Sequence, residues 1–209
     1  MSSPVTLYYF DSRGRGEVIR WILHAAGQNF KDVRLTMGEW VADPKLKENT
    51  PFGQLPYVVV NNKVLGQSHA IARYFAKLHG FAGKGAWEEA EVDAIVDYTE
   101  DIFKGFVKYI HALLANDPKV DEIKKQFLTT DIVPYLQKYK TILAQTKSGY
   151  LVGQGPTWAD FCAVDFLDQL VELDKSILGS HPELKDYVNR IHNTKGIKEW
   201  LAKRPQTSF

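Results

Sequence analysis

The feature that most narrows the fold lies in the first 35 residues. Val5-Thr6-Leu7-Tyr8-Tyr9-Phe10 is β-branched and aromatic, the composition of a strand. Asp11-Ser12-Arg13-Gly14 breaks it, and Val18, Ile19, Ile22, Leu23 and Ala26 then recur at helical spacing as far as Gly27, placed as a C-terminal glycine. Phe30-Lys31-Asp32-Val33-Arg34-Leu35 alternates as a second strand. Strand, helix and strand in so short a stretch make a βαβ unit, which requires a crossover and a parallel pair. In such sheets ligands sit at the carboxyl ends of strands and near helix N-termini.

The following residues complete a small domain. Residues 37–50 are polar and irregular, with Trp40 and two lysines. Tyr57-Val58-Val59-Val60 reads as a buried strand, Asn61-Asn62 as a turn and Lys63-Val64-Leu65 as its antiparallel partner. A helix from Ser68 carries Ile71, Ala72, Phe75 and Leu78 and ends at Gly80. This order is that of a thioredoxin-like α/β domain (βαβαββα) over residues 1–80. Two glycines mark 81–86 as a linker, and residues 87–209 show helical periodicity only, an all-α domain. Val92, Ile95, Val96, Ile102, Phe103, Phe106, Ile110 and Leu113 form a stripe on one long helix. Pro134 should kink or interrupt a second helix, and Thr157 with Asp160 opens a third as a capping pair. Two shorter helices follow Pro182 and Thr194.

Composition removes several classes of function. With 26 basic and 25 acidic residues the net charge is +1, too little for a nucleic-acid partner that must displace counterions. The basic residues are scattered among acids, so no polybasic membrane patch forms. No apolar run reaches the roughly 18–20 residues that span a bilayer. Met1-Ser2-Ser3-Pro4 lacks the basic and apolar regions of a signal peptide, and a single cysteine, Cys162, fits a reducing compartment. The expected location is therefore cytoplasmic. The six histidines show no metal-ligand spacing, so no metal is expected to be required.

Three segments can carry chemistry. Tyr8-Tyr9-Phe10-Asp11-Ser12-Arg13-Gly14-Arg15 stands where a redox thioredoxin keeps its cysteine pair, yet the first 161 residues contain no cysteine, which excludes disulfide exchange. Hydroxyls replace the thiols, although two tyrosines in a strand also serve as ordinary sheet formers. Pro51-Phe52-Gly53-Gln54-Leu55-Pro56 ends in a proline before a strand. A cis bond there would expose the main chain of Leu55 to an extended peptide, and an ordinary loop proline is the alternative. Gly66-Gln67-Ser68-His69-Ala70 opens a helix whose N-terminus suits a carboxylate, or is simply capped.

In their order and spacing these segments, with Gln67-Ser68-x-Ala70-Ile71-x-Arg73-Tyr74, Val92-Asp93-Ala94-Ile95-Val96-Asp97, Thr157-Trp158-Ala159-Asp160-Phe161 and Trp200-Leu201-x-x-Arg204-Pro205-x-Thr207, resemble a glutathione transferase. The likeness runs the length of the chain and is strongest to the sigma class, which includes glutathione-dependent prostaglandin D synthases. It implies the glutathione transferase fold and a homodimeric detoxification enzyme with glutathione as co-substrate. Small-molecule electrophiles are the implied partners, with neither nucleic acid nor membrane.

The resemblance also assigns residues. Tyr9 is the implied catalytic residue, its hydroxyl bonding the glutathione sulfur, with Ser12 as a second candidate donor. A thiol of ordinary acidity is only a few per cent ionised at neutral pH. Lowering its pKa by about two units requires roughly 2.7 kcal/mol, within reach of one charge-assisted hydrogen bond and a nearby cation. Arg15, Trp40, Lys47, Gln54, Leu55, Pro56, Gln67 and Ser68 are the implied glutathione contacts, Lys45 competing with Lys47, and Asp101 reaches the ligand in the other subunit. Phe10, Ser12, Gly14, Phe103, Cys162, Phe166 and Phe209 are implied for an apolar second-substrate pocket between the domains, Arg15 touching it too. The prostaglandin synthases carry a tryptophan where this chain has Lys108, and their acidic interface cluster, matched by Asp97, Glu100 and Asp101, has Glu for one Asp. A prostaglandin isomerase and a non-catalytic ligand-binding or crystallin-like relative are the alternatives.

Overall fold

The computed structural model describes residues 4–207, so the expected pocket residue Phe209 lies outside the described residues. Four strands form one sheet, β1 (Val5–Phe10), β2 (Lys31–Leu35), β3 (Tyr57–Val60) and β4 (Lys63–Gly66), in the order β2-β1-β3-β4. β1 and β2 are parallel, as the βαβ pattern requires, with Tyr9 opposite Arg34. β3 runs antiparallel to β1 and to β4. Asn61 and Asn62 both adopt positive φ, the backbone that a tight hairpin turn demands. β1 alternates strictly: Val5, Leu7 and Tyr9 are buried, whereas Thr6, Tyr8 and Phe10 are half-buried.

Two compact units emerge, one comprising residues up to 82 together with those from 192 onward, the other Gly83–Ile191. In the first of these units the helix α10 (Ile197–Lys203) packs on α1 (Glu17–Ala25). α1 also packs on α4 (Ser68–His79), which Gly80 ends in the left-handed conformation. The stretch 37–50, expected to be irregular, contains α2 (Met37–Ala42) and α3 (Pro44–Glu48). Both start from side-chain caps. The Thr36 hydroxyl accepts from the Glu39 N–H while Glu39 accepts from the Thr36 N–H, and Asp43 caps α3 with Pro44 in its first turn.

The second unit is helical. α5 (Gly85–Leu114) buries Val92, Val96, Ile102 and Phe106 of the expected stripe, while Leu113 is 39 % exposed. It packs on α8 (Trp158–Leu173) and α6 (Val120–Gln126). A π-helical turn at Phe127–Asp131 separates α6 from α7 (Val133–Thr146). Pro134 lies in the first turn of α7, so it starts that helix rather than kinking it. α9 is Pro182–His192. The buried Asp160 carboxylate accepts from the N–H groups of Leu151 and Thr157, the Thr157 hydroxyl and the Tyr187 hydroxyl. Burial raises its pKa, opposed by those donors. Among the described residues no helix is long and apolar enough to cross a membrane.

Candidate active site

The carboxyl end of β1 turns at Asp11–Ser12 into a 3₁₀ turn, Gly14–Gly16, that leads directly into α1. Strand alternation points Tyr9 inward, leaving it 8 % exposed, and the turn then closes over its ring. The Arg15 N–H donates to the Tyr9 hydroxyl oxygen at 2.9 Å. A Cβ added to Gly14 would stand 2.7 Å from that oxygen, and one added to Gly16 would stand 2.5 Å from ring carbon Cδ1. Gly14 has φ +37, where a side chain is strained in any case. From a third direction the fully buried Arg20 guanidinium lies 5.9 Å from the ring centroid. Tyr8, on the opposite face, stacks on Tyr57 with ring centroids 4.5 Å apart. Burial and that neighbour push the Tyr57 hydroxyl up to about 12.

Beside this turn is a cavity of about 530 Å³ lined by Phe10, Arg15, Trp40, Phe52, Gly53, Gln54, Leu55, Pro56, Gln67 and Ser68. The fold thus brings together seven of the residues expected around a glutathione-type peptide, and adds Phe10, which was expected against the second substrate. The Leu55–Pro56 peptide is cis. Gln67 takes a positive φ of 71° immediately before α4, and its side-chain amide donates to the Gln54 amide oxygen at 3.3 Å. This places the N-terminus of a 12-residue helix at one wall, favourable for an anion. Trp40 is buried under Phe10, their rings meeting edge to face at 6.4 Å. Of the two competing lysines, Lys47 holds its ammonium 5.8 Å from the Trp40 ring centroid.

Ser12, half-buried, offers its carbonyl to Arg20 at 2.7 Å. Asp101 is exposed on α5 and paired with Lys104 at 2.8 Å. That pairing raises the pKa of the Lys104 ammonium above its ordinary value. Phe103 and Phe166 meet edge to face at 6.0 Å, with Phe106 joining both, and Cys162 is half-buried on α8. Among the described residues no group of three or more His, Cys, Asp or Glu could hold a metal. Sequence reasoning missed Gly16, Arg20, Phe52 and Gly53. Arg20 had a signal: Glu17, Arg20, Trp21 and His24 make a polar and aromatic stripe at helical spacing on an otherwise apolar helix.

Comparison with known proteins gives this geometry a class. Residues 5–77 match the glutathione S-transferase N-terminal domain and residues 100–204 its C-terminal domain. The chain belongs to the glutathione S-transferase family, and its thioredoxin-like and all-α parts are those of that fold. It is 40 % identical to glutathione S-transferase 1 of Ascaris suum over 97 % of this chain and 98 % of that one. A crystal structure of a monomeric glutathione S-transferase from the hookworm Necator americanus is 36 % identical with TM-score 0.91, covering 98 % and 99 % of the two chains. The structure of rat hPGDS complexed with a quinoline is 33 % identical with TM-score 0.87, covering 99 % and 100 %. The protein is an enzyme of the glutathione transferase type.

Proposed function

We propose that the enzyme binds glutathione in the cavity beside β1, stabilises its thiolate with the Tyr9 hydroxyl, and adds that sulfur to electrophilic, mostly apolar compounds. The observation that carries this reading is the 2.9 Å bond from the Arg15 N–H to the Tyr9 oxygen. The bond that the Tyr9 oxygen accepts from this backbone donor polarises its O–H and strengthens it as a donor to the sulfur. Leu55 pairs its main chain with the cysteinyl residue, in the manner of an added strand. Gln67 and Ser68 receive the γ-glutamyl carboxylate at the α4 N-terminus, and Lys47, Trp40, Gln54 and Arg15 hold the remaining charge. Once the thiolate is held, bond formation needs an electrophile seated against an apolar surface. Phe103 and Phe166, with Cys162 beside them, are assigned to that role.

Further assignments belong to the same reading: the sigma class, a cytoplasmic location, no required metal, and a homodimer in which Asp101 reaches the ligand amine of the other subunit. Apolar side chains exposed on the first unit, Phe52, Tyr74 and Leu78, support a self-association surface, whereas the hookworm relative is described as monomeric. A prostaglandin D isomerase using the same thiolate is the second reading, favoured by the likeness to rat hPGDS. Product formed from a prostaglandin endoperoxide, measured beside chlorodinitrobenzene conjugation, separates the two activities. For the principal reading the test is Tyr9→Phe. We expect kcat/KM for conjugation to fall by about 10–100-fold, with glutathione affinity within about threefold of wild type because the cavity wall is untouched. Unchanged turnover in a folded Tyr9→Phe protein overturns the assignment.

A further inference from the structure

The C-terminal helix and the tyrosine turn are joined by a continuous buried network. Glu17 is 1 % exposed, and its Oε1 accepts from the Trp21 indole at 3.1 Å, the Trp200 indole at 2.8 Å and Arg204 at 3.2 Å. Its Oε2 accepts from Arg20 at 3.2 Å. Arg20, itself fully buried, also donates to Asp32 at 3.0 Å and to the Ser12 carbonyl at 2.7 Å, and lies over the Tyr9 ring. Ser12 begins the loop that becomes the Gly14–Gly16 turn, and that turn supplies the Arg15 N–H to the Tyr9 oxygen.

The C-terminal segment is built to reach this network. Trp200 stacks on His24 with ring centroids 4.5 Å apart. A Cβ on Gly196 would collide with the His24 carbonyl oxygen, so only glycine lets the start of α10 come so close to the end of α1. Glu199 secures that start by accepting from the Gly196 N–H at 2.6 Å.

We propose that Trp200 and Arg204 are positioning residues for Tyr9. By fixing Glu17 they hold Arg20 against the Ser12 carbonyl and the tyrosine face, and so set how well the hydroxyl stabilises a bound thiolate. This rests on the assignment of Tyr9 made above. A buried carboxylate that loses two of its donors reorients toward those remaining, and Arg20 moves with it. The Ser12 loop then loosens, the Arg15 N–H loses its alignment, and the cation over the ring shifts. A network that merely pins the chain end would alter stability and leave the chemistry of the bound thiol unchanged.

The experiment compares wild type with Trp200→Phe, which keeps the ring but loses the N–H, with Arg204→Gln, and with Arg204→Lys as the conservative rescue. Thiolate absorbance of bound glutathione is followed across pH in the full-length protein, beside conjugation kinetics and thermal melting. Expected is a titration midpoint about 0.5 higher in Trp200→Phe and Arg204→Gln, roughly a threefold loss of thiolate on the acid side. kcat should fall in proportion at pH 6.5 with KM for glutathione within about twofold, and Arg204→Lys should recover part of both. If Trp200→Phe does not fold, Arg204→Gln decides alone, since Arg204 lies at the partly exposed edge of the network. Lowered melting temperatures with unmoved midpoints overturn the proposal. Tyr9→Phe separates the two levels. If its own midpoint equals wild type, the tyrosine assignment fails and the relay with it; if it rises while that of Arg204→Gln does not, only the relay fails. Adding Arg204→Gln to Tyr9→Phe should move nothing further, and an equal shift in that background also overturns the relay.

Discussion

Gly14→Ala is the most direct probe of the tyrosine turn, because the added carbon meets the one atom on which the proposed chemistry depends. Its Cβ would stand 2.7 Å from the Tyr9 oxygen, while ring carbons Cε1 and Cζ lie at 3.3 and 3.4 Å, near ordinary contact. The hydroxyl must therefore retreat by about 0.7 Å to reach ordinary contact, drawing away from the Arg15 N–H. The positive φ of 37° adds a backbone cost of roughly 1–2 kcal/mol, and the overpacking about 1–3 kcal/mol more. A total of about 2–5 kcal/mol lowers the melting temperature of a chain this size by roughly 4–20 °C. A misplacement approaching 1 Å at a reacting centre costs up to about 100-fold in rate, so kcat for chlorodinitrobenzene conjugation should fall by about 10–100-fold with glutathione affinity little changed. Tyr9→Phe supplies the decisive cycle. It deletes the clashing atom, so Gly14→Ala made in that background should keep only its backbone cost, a coupling of roughly 1–3 kcal/mol in denaturant unfolding. If the single variant turns over at the wild-type rate, or if the two substitutions add without coupling, the geometric argument for Tyr9 is refuted.

Three further outcomes follow from other parts of the molecule. Asp160→Ala leaves the Leu151 and Thr157 amides and the Thr157 and Tyr187 hydroxyls without their acceptor, and should cost about 3–5 kcal/mol, read as a lower denaturant midpoint; a loss below 1 kcal/mol would mean that these groups find other partners. Burial works against the ionised form of Glu17, but Arg20, the Trp200 indole and Arg204 outweigh it and hold its pKa below the ordinary 4.5. Its stabilisation is therefore complete above pH 4.5 and is lost as pH falls through the lower folded value, so the stability gap between wild type and Glu17→Gln should narrow in that acid range; a gap that widens there contradicts the depressed value. Lys47→Ala removes an exposed ammonium held over Trp40 and should raise KM for glutathione by about 3–10-fold with kcat unchanged; a fall in kcat alone would place Lys47 in the chemical step.

The sheet was legible because its determinants are local. β1 and β3 are runs of β-branched and aromatic residues, the hairpin turn is two asparagines, and the helices after β1 and β4 end at glycines. The βαβαββα order called for helix between β2 and β3, but α2 and α3 could not be located because helices of six and five residues have no apolar stripe long enough to read, and rest on their caps. The Thr36-x-x-Glu39 capping pattern was present in the sequence and is the clue that could have found α2. The cavity residues could be named because the segments, in their order and spacing, resemble a glutathione transferase; each alone carries only a turn, a proline before a strand or a helix N-terminus. The bond from Trp200 to Glu17 spans 183 positions, and no local pattern reports it. For the same reason no local pattern reports that α10 packs on α1.

The parts of the site differ in what holds them, and this difference determines what each can do. Tyr9 is surrounded by groups with little freedom: the Arg15 backbone amide, the Gly14 and Gly16 main chain, and a guanidinium with no exposed surface. The far side of the cavity is lined by exposed, flexible side chains, among them Phe52 and Gln54, with Lys47 over Trp40 close by. Carboxylates at the ends of a peptide tolerate such partners, because a displaced ammonium or amide is readily replaced by water. A thiolate about to attack carbon does not, since its acidity and direction depend on one donor at one distance. Substitutions on the exposed rim should therefore appear mainly in KM, and those in the β1 turn or the Glu17 network mainly in kcat and its pH dependence.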